Sequence, residues 1–133
     1  MYLSVIVPVF NEAESVPRLM AQISEALNPL NQPYEVICVD DGSEDGSYQI
    51  LCDLVSQFPA LLPVQLRRNF GQTAAMQAGL DLSSGEYVTF LDADLQNDPA
   101  DIPKLLERLL EEDLDMVAGW RADRQDKLLS RRL

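Results

Sequence analysis

Apolar runs of strand length alternate along the chain with segments whose apolar residues recur every three or four positions. The first run, Leu3–Val9 (LSVIVPV), is rich in β-branched residues and predicts a strand. From Asn11 to Leu27, the residues Val16, Leu19, Met20, Ile23 and Leu27 fall on one face of a helix. Asn11 followed by Glu14 predicts a capping box at its start, and Pro29 and Pro33 predict its end. Tyr34–Asp40 (YEVICVD) predicts a second strand, followed by the turn-prone Asp41, Gly42 and Ser43. Ile50, Leu51, Leu54, Val55 and Phe58 mark a second helical face, and Val64–Arg67 a short third strand. Gln72–Leu82 predicts a helix whose Ala74, Ala75, Ala78 and Gly79 are small enough to lie close to a sheet, ended by Ser83, Ser84 and Gly85. Glu86–Leu91 predicts a fourth strand. Asp98, Pro99 and Asp101 open a helix with a stripe of Ile102, Leu105, Leu106, Leu109 and Leu110, and Asp115–Gly119 predicts a fifth strand.

Strands alternating with helices imply an α/β fold with a parallel sheet and right-handed crossovers. Strands that read as continuous apolar runs imply a sheet covered on both faces. A chain of 133 residues, 47% hydrophobic and 24% charged, suits one domain with a real core. Ten Lys and Arg against 22 Asp and Glu leave a net charge of −12, which disfavours nucleic acid as a partner and suits a divalent cation. The chain has no His, which removes His-based triads, His-ligated zinc and imidazole bases. Cys38 and Cys52 lie in apolar stretches and read as buried, reduced thiols. Met1–Val9 lacks the basic flank of a signal peptide and no apolar run reaches membrane-helix length, so the chain as written is expected to be soluble.

Ligands of open α/β sheets bind beyond the carboxyl ends of the strands, and four polar clusters fall there. In the last, Asp92 and Asp94 flank one residue after an apolar strand, so both carboxylates can converge on one point. With the amide oxygen of Gln96 they form a hard-oxygen set suited to magnesium or manganese, whose open positions diphosphate oxygens fill. The plainer reading, acids capping the next helix, is already served by Asp98. Asp40 and Asp41 can accept from a base N–H or ribose hydroxyls, or simply form an Asp-Gly turn. Pro8, Asn11 and Glu12 end the first strand, where Asn11 also serves as a helix cap. Arg67, Arg68 and Asn69 precede a helix opened by Gly71, whose N–H groups favour anions; the arginines either counter a diphosphate or form a solvated pair.

The tail changes character. Residues 1–120 carry five basic and twenty acidic groups, whereas residues 121–133 carry Arg121, Arg124, Lys127, Arg131 and Arg132 against two acids. With Leu128, Leu129 and Leu133 interleaved, this segment reads either as anion capture near a membrane surface or as a solvated amphipathic helix.

Pro8-Val9-Phe10-Asn11-Glu12, Val39-Asp40-Asp41-Gly42-Ser43, Arg68-Asn69-Phe70-Gly71 and Asp92-Ala93-Asp94-Leu95-Gln96, in that order at successive strand ends, resemble the family 2 glycosyltransferases of the GT-A fold. The polyprenyl-phosphate glycosyltransferases are the most similar in look, and the stretch from Gly71 to Pro99 is similar to their bacterial branch. The resemblance implies a Rossmann-like, mainly parallel sheet flanked by helices, with the C-terminal part of the domain outside this chain. It implies a nucleotide-sugar-binding core over residues 1–120 and the start of a basic acceptor or juxtamembrane region over 121–133. Pro8, Asn11 and Glu12 would lie against the nucleotide, Asp40 would contact the base with Asp41 close by, and Arg68, Asn69 and Gly71 would form the neighbouring loop. Asp92 would lie near ribose and metal, Asp94 and Gln96 would bind Mg or Mn, and Arg121 would face the donor or acceptor phosphate, making Asp94 and Arg121 the catalytic pair.

The implied activity is inverting transfer of a hexose from a nucleotide sugar, UDP-glucose first, to undecaprenyl phosphate. The implied full-length protein works at the cytoplasmic face of the membrane, touching it through its C-terminal part, and a homo-oligomer is compatible. Two rivals stay open: an inverting family 2 transferase acting on a sugar hydroxyl, and a nucleotide-binding segment without turnover of its own. A haloacid-dehalogenase-type hydrolase is disfavoured because its Asp-x-Asp follows the first strand, and a dinucleotide dehydrogenase because no GxGxxG does.

Overall fold

In the computed structural model, which describes residues 1–119 and 127–131, the apolar runs become neighbouring strands of one sheet. These are β1 (Leu3–Val9), β2 (Tyr34–Asp40), β3 (Leu61–Gln65), β4 (Tyr87–Phe90), β5 (Met116–Gly119) and β6 (Lys127–Arg131). Four helices connect them: α1 (Val16–Leu27), α2 (Ser47–Leu54), α3 (Gln72–Leu82) and α4 (Asp101–Glu111). The strand order is β3-β2-β1-β4-β6-β5. β1 is paired in parallel on both sides, with Val5 opposite Val36 of β2 and Ile6 opposite Phe90 of β4, and β3 runs parallel to β2.

The strand period of two sorts the core into two layers. Val36 and Cys38 of β2 join Val5, Val7 and Val9 of β1 against the buried stripes of α1, α2 and α4. Ile37 and Val39 face the other way, onto Ala75 and Ala78 of α3. The small residues of α3 are what allow this close approach. A Cβ on Gly79 would lie 2.5 Å from Ile6 Cγ2 and 3.3 Å from Val39 Cγ2.

The sheet is mainly parallel, as expected, and its one antiparallel strand among the described residues lies beyond β4. β6 lies between β4 and β5 and is antiparallel to both. Too few residues separate Gly119 from Lys127 for a parallel crossover, whereas a short link suits an antiparallel pair. Residues 127–131 are thus a strand, with Leu129 buried, and not part of the amphipathic helix considered for the tail. β3 starts three residues earlier than expected and ends two earlier, so that Arg67 falls with Arg68 in the exposed loop after it. Its edge is blunted. Val36 N–H donates to the Ala60 carbonyl and Leu66 N–H to the Asp40 carbonyl, so the even-numbered residues of β3 turn their backbone groups to β2. Pro63, which has no N–H, occupies an outward position.

α1 starts at Val16, with a Pro in its first turn, and not at Asn11. The expected capping box does not form because Asn11, at φ 53°, is committed elsewhere. Its N–H donates to Ser43 Oγ at 2.8 Å, and its Oδ1 accepts Glu44 N–H at 2.9 Å. Glu12 N–H donates to Ser47 Oγ at 3.0 Å and Ala13 N–H to Asp45 Oδ2 at 3.0 Å. The loops after β1 and β2 are therefore latched together. Burial raises the Asp45 pKa, but hydrogen bonds from the Ser47 hydroxyl, the Ala13 N–H and the Ser47 N–H outweigh it and leave the carboxyl below its ordinary value.

Two outcomes are expected. Gly79→Ala should lower stability by about 1–3 kcal/mol in denaturant unfolding, because overpacking against the stiff Ile6 outweighs the gain in helix propensity. Asp45→Ala should lower Tm by a few degrees at neutral pH. Because the folded pKa of Asp45 is depressed, its contribution is complete above the unfolded value and is lost as pH falls through the folded one. The Tm difference between wild type and variant should therefore close below about pH 4.

Candidate functional site

β1 is the strand at which the order of the sheet reverses: β2 and β3 lie to one side of it and β4 to the other. Connections leaving a sheet on opposite sides of such a strand open a crevice at its carboxyl end. A cleft of about 390 Å³ lies there. Pro8, Val9 and Phe10 at the end of β1 form its floor and rim, with Glu12 and Asp41 beside them. Asn69, Gly71 and Gln72 come from the loop before α3, and Asp92, Ala93 and Asp94 from the loop after β4.

Asp92 and Asp94 both line the cleft, placed there by a turn and not by strand alternation, since β4 ends at Phe90 and residues 93 and 94 are already turning. Asp92 is half-buried; its Oδ1 accepts from Gln72 Nε2 at 3.1 Å and its Oδ2 from Asn97 Nδ2 at 3.3 Å. Asp94 is exposed, and its Oδ1 accepts the Gln96 N–H at 3.1 Å. Leu95 between them sits at φ 67°, a left-handed conformation that costs a bulky residue about 1–2 kcal/mol. Packing its side chain against the core offsets that cost and fixes the turn. Gln96, expected as a metal ligand, meets Asp94 through its backbone N–H, and its side chain does not line the cleft.

Asp40 and Asp41 part company. Asp41 lines the cleft and accepts two successive backbone N–H groups, from Phe70 at 2.7 Å and Gly71 at 3.0 Å. The anion at the threshold of α3 is thus this carboxylate. Gly42, at φ 73°, lets the same loop close down: a Cβ there would run into the backbone nitrogen of Asn69. Asp40, the expected base contact, is fully buried and does not line the cleft. Its Oδ2 accepts Ser43 N–H at 3.1 Å, while its buried Oδ1 has no hydrogen-bond partner among the described residues. Its charge reaches Tyr48 of α2, whose phenol is held above its ordinary pKa first by a hydrogen bond with Cys52 and last by Asp40.

Asn11 lies outside the cleft in the latch between loops. Arg68 is exposed, with its guanidinium 4.8 Å above the Phe70 ring, and does not line the cleft either. Arg121 lies outside the described residues. Burial pushes the Cys38 thiol up to about 12, so it behaves as a small apolar residue. Gln72 and Asn97 received no role from the sequence, because nothing in the spacing of an amide reveals which carboxylate it will meet.

Glu12, Asp41, Asp92 and Asp94 give the cleft four carboxylates, and no Lys or Arg is among its described lining residues. Among the described residues no three His, Cys, Asp or Glu side chains form a closed metal cage. Two neighbouring hard-oxygen carboxylates on an open cleft nevertheless fit a magnesium or manganese ion that keeps positions for phosphate oxygens. Asp92 and Asp94 are the residues that would hold it.

The description Glycosyl transferase family 2 matches residues 4–133. The chain is 44% identical over 132 residues to dodecaprenyl-phosphate galacturonate synthase of Rhizobium johnstonii, an overlap of 98% of this chain and 39% of that protein. Among solved structures, the Pyrobaculum calidifontis mannosyltransferase in complex with GDP-Man and Mn2+ superposes with a TM-score of 0.83 at 23% identity, covering 98% of this chain and 44% of that one. S. aureus TarS 1-349 in complex with UDP superposes with a TM-score of 0.74 at 27% identity, covering 87% of this chain and 34% of that one. The chain spans about two fifths of the length of the curated relative it matches. With motifs at four successive strand ends, a cleft at the switch point of the sheet and a family match running almost end to end, the chain belongs to glycosyl transferase family 2 and its sheet has the GT-A arrangement.

Proposed function

We propose that this chain is the nucleotide-sugar-binding part of a metal-dependent, inverting hexosyltransferase that passes glucose from UDP-glucose to undecaprenyl phosphate. The observation that carries the reading is the pairing of Asp92 and Asp94 on a cleft with four carboxylates and no cationic side chain among its described lining residues. A nucleoside diphosphate brought to such a surface meets only like charge. A divalent ion held by Asp92 and Asp94 would offset their two negative charges, give the diphosphate a cationic partner and, when bound, stabilise charge developing on it as it departs.

The chain's own residues do the rest by placement. Phe10, exposed on the rim, offers a ring face to the base, with Asp41 and Asn69 on the same side. Pro8 and Glu12 lie against the nucleotide, and Gly71 lets its backbone approach. Arg68, from its stacked position above Phe70, reaches toward the diphosphate from outside the cleft. Arg121 holds the acceptor phosphate. That phosphate is already an anion at neutral pH and attacks the anomeric carbon without a strong general base, in keeping with a chain that has no His. The named relatives support a polyprenyl-phosphate acceptor and a nucleotide-sugar donor with a divalent ion: one is a dodecaprenyl-phosphate galacturonate synthase, and a structural neighbour holds GDP-Man with Mn2+. No helix among the described residues is long and apolar enough to cross a membrane. The acceptor lipid is met at the cytoplasmic face, with the basic residues ahead of β6, Arg121 and Arg124, taking its phosphate.

The test is calorimetric titration of UDP-glucose with magnesium or manganese and again with chelator. Wild type should bind only with the ion, and Asp94→Ala should weaken binding at least tenfold, about 1.4 kcal/mol. A variant that binds like wild type removes the metal assignment. Undecaprenyl phosphate and a sugar-hydroxyl acceptor should then be offered with labelled donor. Label in the sugar acceptor favours the hydroxyl-directed transferase. Binding without label in either favours a segment that needs the rest of its protein for turnover, a reading to which the two-fifths coverage gives weight.

A further inference from the structure

We infer that Gln72 and Asn97 are positioning residues that aim the Asp92 carboxylate at the metal and nucleotide, an inference that rests on the function proposed above. The two acids of the Asp-x-Asp turn are held differently. Asp94 is exposed and, among the described residues, is tied within its own turn, to the Gln96 N–H. Asp92 is held by donors from two separate elements. Gln72, the first residue of α3, donates from Nε2 to Oδ1 at 3.1 Å, and Asn97, in the loop before α4, donates from Nδ2 to Oδ2 at 3.3 Å. A carboxylate is free to rotate about its terminal torsion; one donor on each oxygen fixes its plane.

Both donors are themselves anchored. Asn97 is only 5% exposed, so its amide cannot turn to solvent. Gln72 follows directly on Phe70 and Gly71, whose N–H groups are bound by Asp41. The orientation of Asp92 therefore traces back, through three residues of backbone, to an acid on the opposite side of the cleft. The donor chemistry also fits. A Lys or Arg in either place would orient Asp92 equally well, but would cancel its charge and repel a cation. A neutral amide orients the carboxylate and leaves its charge and its remaining lone pairs available to an ion or a ribose hydroxyl.

The test uses the full chain with two independent readouts. Without any ligand, the side-chain amide resonances of Gln72 and Asn97 should shift in Asp92→Ala; unmoved resonances overturn the inference by themselves. With UDP present, manganese affinity followed by electron paramagnetic resonance should fall at least tenfold in Gln72→Met, which keeps the length of the side chain and removes its amide. Because Gln72 is exposed, the ligand-free Tm of that variant should match wild type. Asn97→Ser should lower manganese affinity in the same direction, with its Tm recorded alongside. A Gln72→Met chain that holds manganese like wild type, or that loses Tm without losing manganese affinity, overturns the positioning role. A wild-type chain that holds no manganese at all overturns the proposed function and the metal role of both amides with it, whereas silent amide resonances overturn this inference alone.

Discussion

Two hydrogen bonds from consecutive backbone N–H groups to the Asp41 carboxylate, at 2.7 and 3.0 Å, set the shape of the cleft. Sheet strands fix the positions of Pro8 and the acid pair to within the reach of their loops, but nothing in the sheet dictates how the segment from Arg67 to Gly71 returns to α3. The carboxylate pins its far end, and the missing Cβ of Gly42 lets its backbone settle on the loop after β2. From that contact follow the entry of Asn69 and Gly71 into the cleft, the starting point of α3, and the reach of Gln72 to Asp92. A charge-assisted bond of this kind is roughly twice as strong as a neutral one. Here it does the work of a sheet contact where no sheet exists.

Electrostatics and architecture point the same way. Placing four carboxylates around an open crevice is unfavourable unless something of opposite sign shares it, and local hydrogen bonds absorb only part of the cost. Asp41 is met by backbone N–H groups and Asp92 by two amides, all neutral. None of these partners carries a charge, so the cleft keeps the negative charge of its four carboxylates. A divalent ion would offset part of that charge and give a diphosphate a cationic partner, which is why the acidity of the chain as a whole does not bar an anionic ligand.

Much of this was legible before the structure. β1, β2 and α3 fall where their apolar patterns place them, because a continuous β-branched run and a small-residue helix have few alternatives. The strand-end clusters that line the cleft could be read as one edge of a sheet, since parallel topology carries every strand end to the same side. What could not be read depended on partners distant in sequence. Asn11 looks like a helix cap until the Ser43 and Glu44 backbone and hydroxyl claim it. Asp40 and Asp41 are indistinguishable as a pair until strand parity buries the first and leaves the second at the cleft. β6 hides in a charged stretch with no periodicity, because its place is decided by the open edge of β4 and not by its own residues.

The insertion of β6 between β4 and β5 also orders events in time. A ribosome delivers β1 to β5 before β6, so β4 leaves the exit tunnel with its outer edge unpaired and β5 with no neighbour to join. Until Lys127–Arg131 emerges, the nascent sheet has four strands and an exposed template for wrong pairing beside the acid-bearing turn. β6 is made after both of the strands it joins, so the half of the cleft that carries Asp92 and Asp94 gains its lateral support only once Lys127–Arg131 has been made.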